Sequence, residues 1–346
     1  MKSLKPKHFP SLIGQSIEDL ELLLMSIGEP PYRGRQLFNW IYRKKVYDLT
    51  RMTDLPKLSQ EKLKTFSIHP LKILKTNSSS SKKTQKFLFI TKNGNTIESV
   101  LMKKGNHTTV CLSTQVGCAV DCSFCATAKM GFVQNLSAGE IIDQYLQLVK
   151  LSDKKITNVV FMGMGEPFLN YENCIAAAKL LNHKKGINLG ARKITISTAG
   201  VINKIKKYTH DKHPYRLAVS LNGSNQVQRL KIMPITKNQT FYNLIKAIKD
   251  YTVKTRKRIT IEYVLIAGIN DSQKDSLILR EILSSIKCNL NVIPYNEIDS
   301  IHKRPNERAI YDFLDPLLNA PFPVNIRWSK GQDIDAGCGQ LATNVS

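Results

Sequence analysis

The sequence lacks the features of membrane-spanning and secreted proteins. No apolar run in its 346 residues approaches the roughly eighteen that a transmembrane helix needs, so no such helix is expected. Residues 1–14 are basic but contain no apolar core, so no secretory signal peptide is expected. A disulfide framework is not expected in a reducing cytosol, and the histidines show no spacing typical of metal ligands. We therefore expect a cytoplasmic protein without membrane association.

Acidic residues are scarce in this chain. It has 27 Asp and Glu against 51 Lys and Arg, a net charge of +24, and 42% of its residues are hydrophobic. That hydrophobic content suffices for a packed core and excludes global disorder. An excess of positive charge this large indicates an anionic partner, for which nucleic acid is the first candidate, with a generally basic proteome as the alternative. The excess is densest in residues 1–95, which carry +11 of the total.

Three short helices are predicted in this basic N-terminal part. Ser16 followed by Asp19 has the pattern of a capping box and starts the first helix, and the others are expected at 35–44 and 57–66. We predict a small basic helical accessory domain over residues 1–80 that contacts RNA, with a solvated bundle as the alternative.

A linker and a β-hairpin extension are predicted next, over residues 81–107. The stretch 77–83 is polar and serine-rich, which is typical of a flexible connection. Asn93-Gly94 lies between two apolar stretches within 86–103, and this dipeptide is a strong signal for a two-residue hairpin turn.

Strand and helix patterns alternate from residue 108 to the end of the chain. Several predicted strands are near-continuous apolar runs, as is usual for parallel strands covered on both faces. They occupy residues 108–114, 156–162, 193–198, 216–221, 258–266, 290–295 and 324–328. Six or seven such units predict an α/β fold, a partial parallel (β/α)6-type barrel over residues 108–346, with a doubly wound open sheet as the alternative. In a barrel, the chemistry takes place at the C-terminal ends of the strands.

Three of the seven cysteines follow the first of these strands. Cys118, Cys122 and Cys125 have the spacing C-x3-C-x2-C. Four thiolates would saturate a structural zinc ion or a [4Fe-4S] cluster, whereas three leave one iron of the cluster without a protein ligand. That iron can bind the amine and carboxylate of S-adenosylmethionine, which places the sulfonium beside an electron donor. The alternative is a zinc site with a distant fourth ligand.

This triplet, with Phe124 before its last cysteine, resembles the signature of the radical S-adenosylmethionine superfamily. The resemblance implies one [4Fe-4S] cluster and S-adenosylmethionine as cofactors. FMGMGEP resembles the superfamily's element that meets the amino group of S-adenosylmethionine. Further small or hydrogen-bonding residues lie at the ends of other predicted strands. Each of them alone also fits a loop or capping role. The cofactor-binding residues predicted in this way are Gly165, Glu166, Ser197, Ser220, Leu221, Asn222 and Asn296.

Four stretches narrow the resemblance to the RlmN/Cfr family of radical RNA methyltransferases. They are QVGCAVDCSFCATAKMGF, MGMGEPFLN, TIEYVLI and DIDAGCGQL, and PYRGRQLFNWIY extends the likeness to the N-terminal domain. The resemblance implies methylation of adenine C2, at adenosine 2503 of 23S rRNA and adenosine 37 of tRNA, with two S-adenosylmethionine molecules per turnover. The alternatives are methylation of adenine C8, as in the Cfr branch, and a non-catalytic metal-containing RNA-binding protein.

The same resemblance implies roles for three residues outside the triplet. Cys338 takes a methyl group, becomes S-methylcysteine and is then joined through that carbon to the RNA. Glu98 accepts the C2 proton. Cys111 resolves the protein–RNA adduct through a transient disulfide with Cys338. Without the resemblance, Cys111 indicates core packing in an apolar strand, and Glu98 indicates a solvated hairpin carboxylate.

The remaining expectations concern partners and departures from the family. 23S rRNA and tRNA are the expected substrates, flavodoxin with its reductase or a ferredoxin is the expected electron donor, and a monomer is expected. Asn222 stands where histidine is commoner. RWSKGQ carries Trp328 and Lys330 at two positions where basic residues are usual, so that Trp328 departs from the usual residue type and Lys330 keeps it. The basic residues expected to contact RNA phosphates are Arg33, Arg35 and those within 43–45, 204–207 and 256–258.

Overall fold

One ten-stranded sheet runs through the protein, with its strands side by side in chain order. The computed structural model describes residues 11–343. The expected absence of a signal peptide concerns mainly residues 1–10 which, like residues 344–346, lie outside the described range. None of the described helices is long and apolar enough to cross a membrane.

The sheet has an antiparallel part and a parallel part. Antiparallel pairing joins β1 (Leu71–Ser78), β2 (Thr84–Thr91), β3 (Thr96–Lys104) and β4 (His107–Cys111). A separate antiparallel ribbon consists of β5 (Gln115–Gly117) and β6 (Phe132–Asn135). Parallel pairing continues from β4 through β7 (Asn158–Phe161), β8 (Ile194–Thr198), β9 (Arg216–Ser220), β10 (Ile259–Leu265), β11 (Cys288–Pro294) and β12 (Val324–Ile326). These seven parallel strands form the partial barrel that the alternating pattern predicts.

Helices precede the sheet and connect its parallel strands. They are α1 (Ile17–Ser26), α2 (Tyr32–Phe38), α3 (Lys57–Leu63), α4 (Ala126–Lys129), α5 (Ala138–Leu151), α6 (Tyr171–Asn182), α7 (Ile202–His210), α8 (Gln226–Ile232), α9 (Phe241–Thr255), α10 (Gln273–Ser284) and α11 (Glu307–Leu314). Ser16 begins α1 with the reciprocal capping hydrogen bonds that its sequence predicts, and Ser137 begins α5 in the same way. Most buried apolar residues form one large core that extends from Leu12 to Leu341. A second, smaller cluster contains Phe124, Ile232, Met233, Ile266 and Tyr295, and Cys122 and Cys125 pack against it.

The second predicted helix differs from its expectation. It begins at Tyr32 rather than at residue 35, and after α2 it continues as a π-helical stretch over Asn39–Lys44. Pro31 comes directly before α2, because a proline is tolerated where a helix starts and its missing N–H is not needed.

The connection predicted at 77–83 is also different in the structure. It is the end of β1 and a hydrogen-bonded turn into β2, in which Ser79 N donates to Thr84 O at 2.8 Å. Strand β1 lies at the edge of the sheet with most of its side chains exposed, so its sequence contains no apolar run that would reveal it. The hairpin expected at Asn93-Gly94 joins β2 to β3. The domain boundaries at residues 80 and 107 stay predictions.

The N-terminal helical part packs closely against α5. A Cβ atom on Gly139 would lie only 2.6 Å from the carbonyl oxygen of Ile13, so the two backbones meet where no side chain intervenes. Asp143, fully buried on the same helix, lies 2.6 Å from His69 Nδ1 and accepts a hydrogen bond from Leu71 N at 3.1 Å. These contacts fix the helical part against the barrel.

Replacing Gly139 by alanine should lower the free energy of unfolding by about 1–3 kcal/mol, because the added methyl group forces Ile13 away from α5. Urea unfolding measures this difference. Gly190→Ala is the matched control, since its Cβ would meet nothing nearer than 3.8 Å, and we expect a change within about 0.5 kcal/mol. Equal unfolding midpoints for the two variants would contradict the close packing.

Candidate active site

A cavity of about 980 Å³, including its mouth, opens where the parallel strands end. Its lining comes from strands β7 to β12 and the loops that follow them, together with the cysteine-rich loop and the C-terminal segment. The C-terminal ends of parallel strands are where barrel enzymes build their active sites. Nine residues predicted from the sequence line it: Cys118, Cys122, Cys125, Gly165, Glu166, Ser197, Ser220, Asn222 and Cys338.

The cysteine triplet lies in the loop that joins β5 to β6. Cys118 N donates to Gly131 O at 2.9 Å and Cys125 N donates to Cys122 O at 3.1 Å, which folds the loop into a compact turn. Burial raises the pKa of the Cys118 thiol to about 12 and that of Cys122 well above its usual value. A bound cation is therefore needed to hold these thiols in their deprotonated form at neutral pH.

The loop after β7 carries Gly165 and Glu166. Gly165 has φ +91°, and a Cβ atom there would collide with the side chain of Gln115, so the position requires glycine. Glu166 is buried, which raises its pKa, and its carboxylate accepts hydrogen bonds from Phe168 N at 2.9 Å and Ala199 N at 2.6 Å. Glu166 thereby ties the loop after β7 to the loop after β8.

The four residues predicted at the ends of β8 and β9 occupy unequal positions. Ser197 and Ser220 line the cavity. Asn222 also lines it, but its Oδ1 already accepts a hydrogen bond from Val264 N at 2.8 Å. Leu221 is fully buried and is not part of the lining. The structure thus brings three of these four residues to the cavity, and their contact with a cofactor stays a prediction.

Asn296 holds the C-terminal segment rather than lining the cavity. Its Nδ2 donates to the carbonyl oxygen of Cys338 at 2.9 Å and to Ser329 Oγ at 2.8 Å. On the other side of the same cysteine, Ala126 N donates to Gly339 O at 2.7 Å, directly after the triplet. Cys338 is solvent-exposed, yet it is anchored from both sides at the cavity.

Cys111 lies at the end of β4, buried and outside the cavity lining. Burial and the neighbouring Cys338 raise the pKa of its thiol to about 12, and a hydrogen bond from the Met162 backbone and the charge of Arg327 oppose that rise. The two cysteines for which the family resemblance implies one reaction therefore lie close enough for Cys338 to affect the pKa of Cys111.

Glu98 lines a second cavity, of about 940 Å³, on the other side of the C-terminal segment. Its carboxylate forms an ion pair with Lys86 at 3.0 Å and accepts a hydrogen bond from Ala342 N at 3.2 Å. Burial raises the pKa of Glu98, and Lys86 opposes this. The predicted solvated alternative is wrong, because Glu98 is only 5% exposed.

An ion pair among the cavity-lining residues was missing from the predictions. Arg327 Nη1 lies 3.4 Å from both carboxylate oxygens of Glu262, and Asn291 Nδ2 donates to the same carboxylate at 3.0 Å. Burial raises the pKa of Glu262, and Arg327 opposes this. One sequence feature could have indicated this ion pair: the apolar run TIEYVLI contains a single carboxylate, Glu262. A buried charge requires a partner, so a cation near this strand was to be expected.

Arg229 was missed as well, and no sequence signal marks it. It is fully buried beneath the cavity. Its Nε donates to Leu221 O at 3.0 Å, and its Nη2 donates to the carbonyl of Ala199. Burial lowers its pKa to about 10, so the guanidinium remains charged at neutral pH.

Comparison with known proteins identifies the family. Residues 112–279 match the Radical SAM superfamily, and residues 11–68 match the ribosomal RNA large subunit methyltransferase N-terminal domain. A protein of Thermotoga neapolitana, described as a probable dual-specificity RNA methyltransferase RlmN, is 43% identical over 332 residues, covering 96% of this chain and 97% of that protein. A protein of Aquifex aeolicus with the same description is 42% identical over 335 residues, covering 95% and 96%. The chain belongs to the RlmN family.

The three-dimensional comparison agrees with membership of the RlmN family. The crystal structure of a radical SAM methyltransferase from Sphaerobacter thermophilus superposes with a TM-score of 0.92 at 39% identity, covering 96% of this chain and 98% of that one. This chain is therefore a radical SAM RNA methyltransferase, and its superfamily implies a [4Fe-4S] cluster and S-adenosylmethionine.

The cysteine loop of this RlmN family member suits such a cluster. Among residues 11–343, no three His, Cys, Asp or Glu side chains converge on one point where a single metal ion would bind. In a four-iron cluster each cysteine ligates a separate iron, and all three thiols of this loop line the same cavity, so the residues present fit such a cluster. Cys118, Cys122 and Cys125 would hold three irons, and the cavity beside them offers room for a ligand of the fourth.

Removal of one triplet thiol should prevent stable cluster assembly. After anaerobic reconstitution we expect about four iron and four sulfide per chain for the unaltered protein, and well under half of this for Cys122→Ala. Iron and sulfide assays measure both contents. Cys174→Ala, which removes a buried cysteine of α6, is the control and should keep the full content. Equal loading of the two variants would contradict the assignment of the ligands.

Proposed function

We propose that this chain forms 2-methyladenosine in 23S rRNA and in tRNA. Its relatives are described as dual-specificity RNA methyltransferases, and its net charge of +24 suits a nucleic acid substrate. The observation that carries the proposal is a second pair of cysteines. Cys338 lines the cavity beside the triplet, and Cys111 is its electrostatic neighbour. An enzyme that transferred a methyl group directly to a nucleophilic atom of its substrate would need neither Cys338 nor Cys111.

The chemistry of adenine explains why a carrier is needed. Its C2 is an electron-poor carbon, which cannot attack a methyl sulfonium as an ordinary nucleophile does. When bound, the cluster and S-adenosylmethionine supply a methyl group and, after one-electron reduction, the means to remove a hydrogen atom from it. The chain has to hold the methyl group between these two events, and a thiolate suits this purpose. Two S-adenosylmethionine molecules are used per turnover, one for each event.

Cys338 is the carrier in this proposal. Its thiolate displaces the methyl group, so that a bond forms from Sγ to the methyl carbon while the bond to the sulfonium sulfur breaks. After loss of a hydrogen atom, the same carbon is a radical, and it bonds to adenine C2 and joins the RNA to the protein. The adduct then loses the C2 proton and one electron, which would return to the one-electron carrier, so that it is closed-shell before release. The backbone anchors on either side of Cys338, from Asn296 and Ala126, support this role, because they restrict where its sulfur can move.

Glu98 takes the proton from C2 in this proposal. A carboxylate whose pKa is raised by burial is a stronger base than an exposed one. Its contacts with Lys86 and Ala342 N orient the carboxylate, and the second cavity beside it has room for a base. The C-terminal segment contributes residues to both cavities, so Glu98 and Cys338 lie near the same short piece of chain.

Cys111 releases the product. Its thiolate attacks the sulfur of Cys338, the bond from that sulfur to the carbon on adenine breaks with its electron pair on carbon, and a proton completes the new methyl group. The two sulfurs are oxidised to a disulfide as the carbon is reduced, so the step is balanced. A one-electron carrier, flavodoxin with its reductase or a ferredoxin, reduces the cluster in our proposal, and the chain acts as a cytoplasmic monomer.

The two cysteines should fail in different ways. Anaerobic incubation of Cys338→Ala with RNA, S-adenosylmethionine and reductant should give no methylated nucleoside, because the carrier is lost. Cys111→Ala should instead accumulate a covalent protein–RNA adduct, visible on a denaturing gel, because nothing attacks the Cys338 sulfur. Cys288→Ala, which alters a buried cysteine of β11, should react normally. Mass spectrometry of the nucleosides separates 2-methyladenosine from 8-methyladenosine, and formation of the 8-methyl product would overturn the C2 assignment.

Glu98→Gln should slow methylation by about 10²–10⁴-fold, because an amide cannot accept the C2 proton. Single-turnover formation of 2-methyladenosine measures this rate. Glu61→Gln, at an exposed position of α3, controls for the loss of one negative charge and should react at the normal rate. A normal rate in Glu98→Gln would assign the proton transfer to another group.

A further inference from the structure

Trp328 is an exposed aromatic residue at the edge of the candidate active site. It is the second residue after β12 and is 46% exposed. Arg327, before it, lines the cavity. Ser329, after it, accepts a hydrogen bond from the same Asn296 amide that holds the carbonyl of Cys338. The indole is therefore fixed, through its two chain neighbours, relative to the reactive cysteine.

The indole has a cationic neighbour. The guanidinium carbon of Arg304 lies 5.4 Å from the centre of the Trp328 ring, within the range of a cation–π contact. The backbone of Arg304 is held in turn, because its N–H donates to Glu297 Oε1 at 3.1 Å. An exposed aromatic ring beside an arginine is the arrangement on which unpaired bases stack, since every base has a flat π surface.

Three lysines, Lys83, Lys104 and Lys330, lie near one another close to the residues that follow Trp328. Lys330 Nζ donates to the carbonyl oxygen of Lys103 at 3.1 Å, at the end of β3. Burial, and then the like charges of Lys104 and Lys83, lower the pKa of Lys330. Within the part of the chain that the structure describes, none of these three ammonium groups forms an ion pair with a carboxylate. Uncompensated positive charges this close together favour a polyanion such as an RNA backbone.

We propose that Trp328 and Arg304 form a stacking subsite for an unpaired base that lies next to the target adenosine. Lys83, Lys104 and Lys330 hold the adjoining phosphates. This inference rests on the proposed function, because the occupant is the RNA substrate. Stacking tolerates any base sequence, so one subsite serves both a ribosomal and a transfer RNA. A basic residue at position 328 would contact only the backbone, whereas tryptophan adds a contact to a base.

The chain offers a direct probe of this subsite, since it has only two tryptophans. Trp40 is 8% exposed and donates its indole N–H to Asp54. In a cluster-loaded, full-length Trp40→Phe chain, the emission comes from Trp328 alone. Titration with an unstructured oligoribonucleotide of about ten nucleotides should quench it saturably, because a stacked base quenches indole emission. Saturation of binding is established separately, from the fluorescence anisotropy of a labelled RNA. Unchanged Trp328 emission at an RNA concentration that saturates binding would overturn the proposal.

Three substitutions separate the ring from its charge surroundings. In anisotropy titrations, Trp328→Ala should weaken binding by about tenfold or more, and Trp328→Phe by less than about threefold, because phenylalanine keeps a stacking surface. Trp328→Lys should bind nearly normally at low salt and weakly at high salt, since only screened charge replaces the ring. Lys330→Gln should reduce the slope of log affinity against log salt by about one, with little change in the quenching of Trp328. Equal affinities of Trp328→Ala and the unaltered chain would overturn the subsite.

The methylation assay distinguishes this inference from the proposed function. If the Trp40→Phe chain methylates RNA while Trp328→Ala binds RNA normally, the subsite is refuted and the function stands. If the RNA quenches Trp328 and Trp328→Ala binds weakly, but no 2-methyladenosine forms, the subsite is supported and the proposed reaction is refuted.

Discussion

The guanidinium of Arg229 holds together the loops that build the cavity. It is fully buried and donates to the carbonyl oxygens of Leu221 and Ala199, in the loops after β9 and β8. Its charge also lies close to Cys122 and Glu166. Because a buried cation is tolerated only where carbonyl groups and anions surround it, these loops have to converge whenever the chain folds. The wall that carries the cysteine triplet is thereby joined to the strand ends that line the rest of the cavity.

The C-terminal segment adds a second constraint, because it separates two cavities of different character. Cys338 and Gly339 line the cavity that holds the triplet, whereas Gln340 and Ala342 line the polar cavity that holds Glu98. One short piece of chain thus carries the proposed methyl carrier and also donates a hydrogen bond to the proposed base. In the proposed reaction, a methyl group would be loaded in the first cavity and a nucleobase would enter the second, and the C-terminal segment contributes to the lining of both.

Local spacing accounts for the parts of the site that the sequence could predict. The C-x3-C-x2-C pattern predicted Cys118, Cys122 and Cys125, since three thiols within eight residues belong to one loop, and that loop lines the cavity. Small residues after apolar strands predicted Ser197 and Ser220, because the ends of parallel strands meet at one edge. The ion pair of Glu262 and Arg327 joins β10 to the segment after β12, and the edge strand β1 has no apolar run, so neither was predicted.

The sequence predicted the class of cofactor and the alternating fold, because both are marked by patterns among residues close together in the chain. The neighbourhood of Cys111 and Cys338, the burial of Glu98 against Lys86, and the exposure of Trp328 beside Arg304 were decided by the tertiary structure alone. Cys111 and Cys338 lie far apart in sequence, whereas Glu98 and Lys86 lie on neighbouring strands of one hairpin. The C-terminal segment reaches both Cys111 and Glu98 only after the sheet has formed, because it has to return across the whole fold.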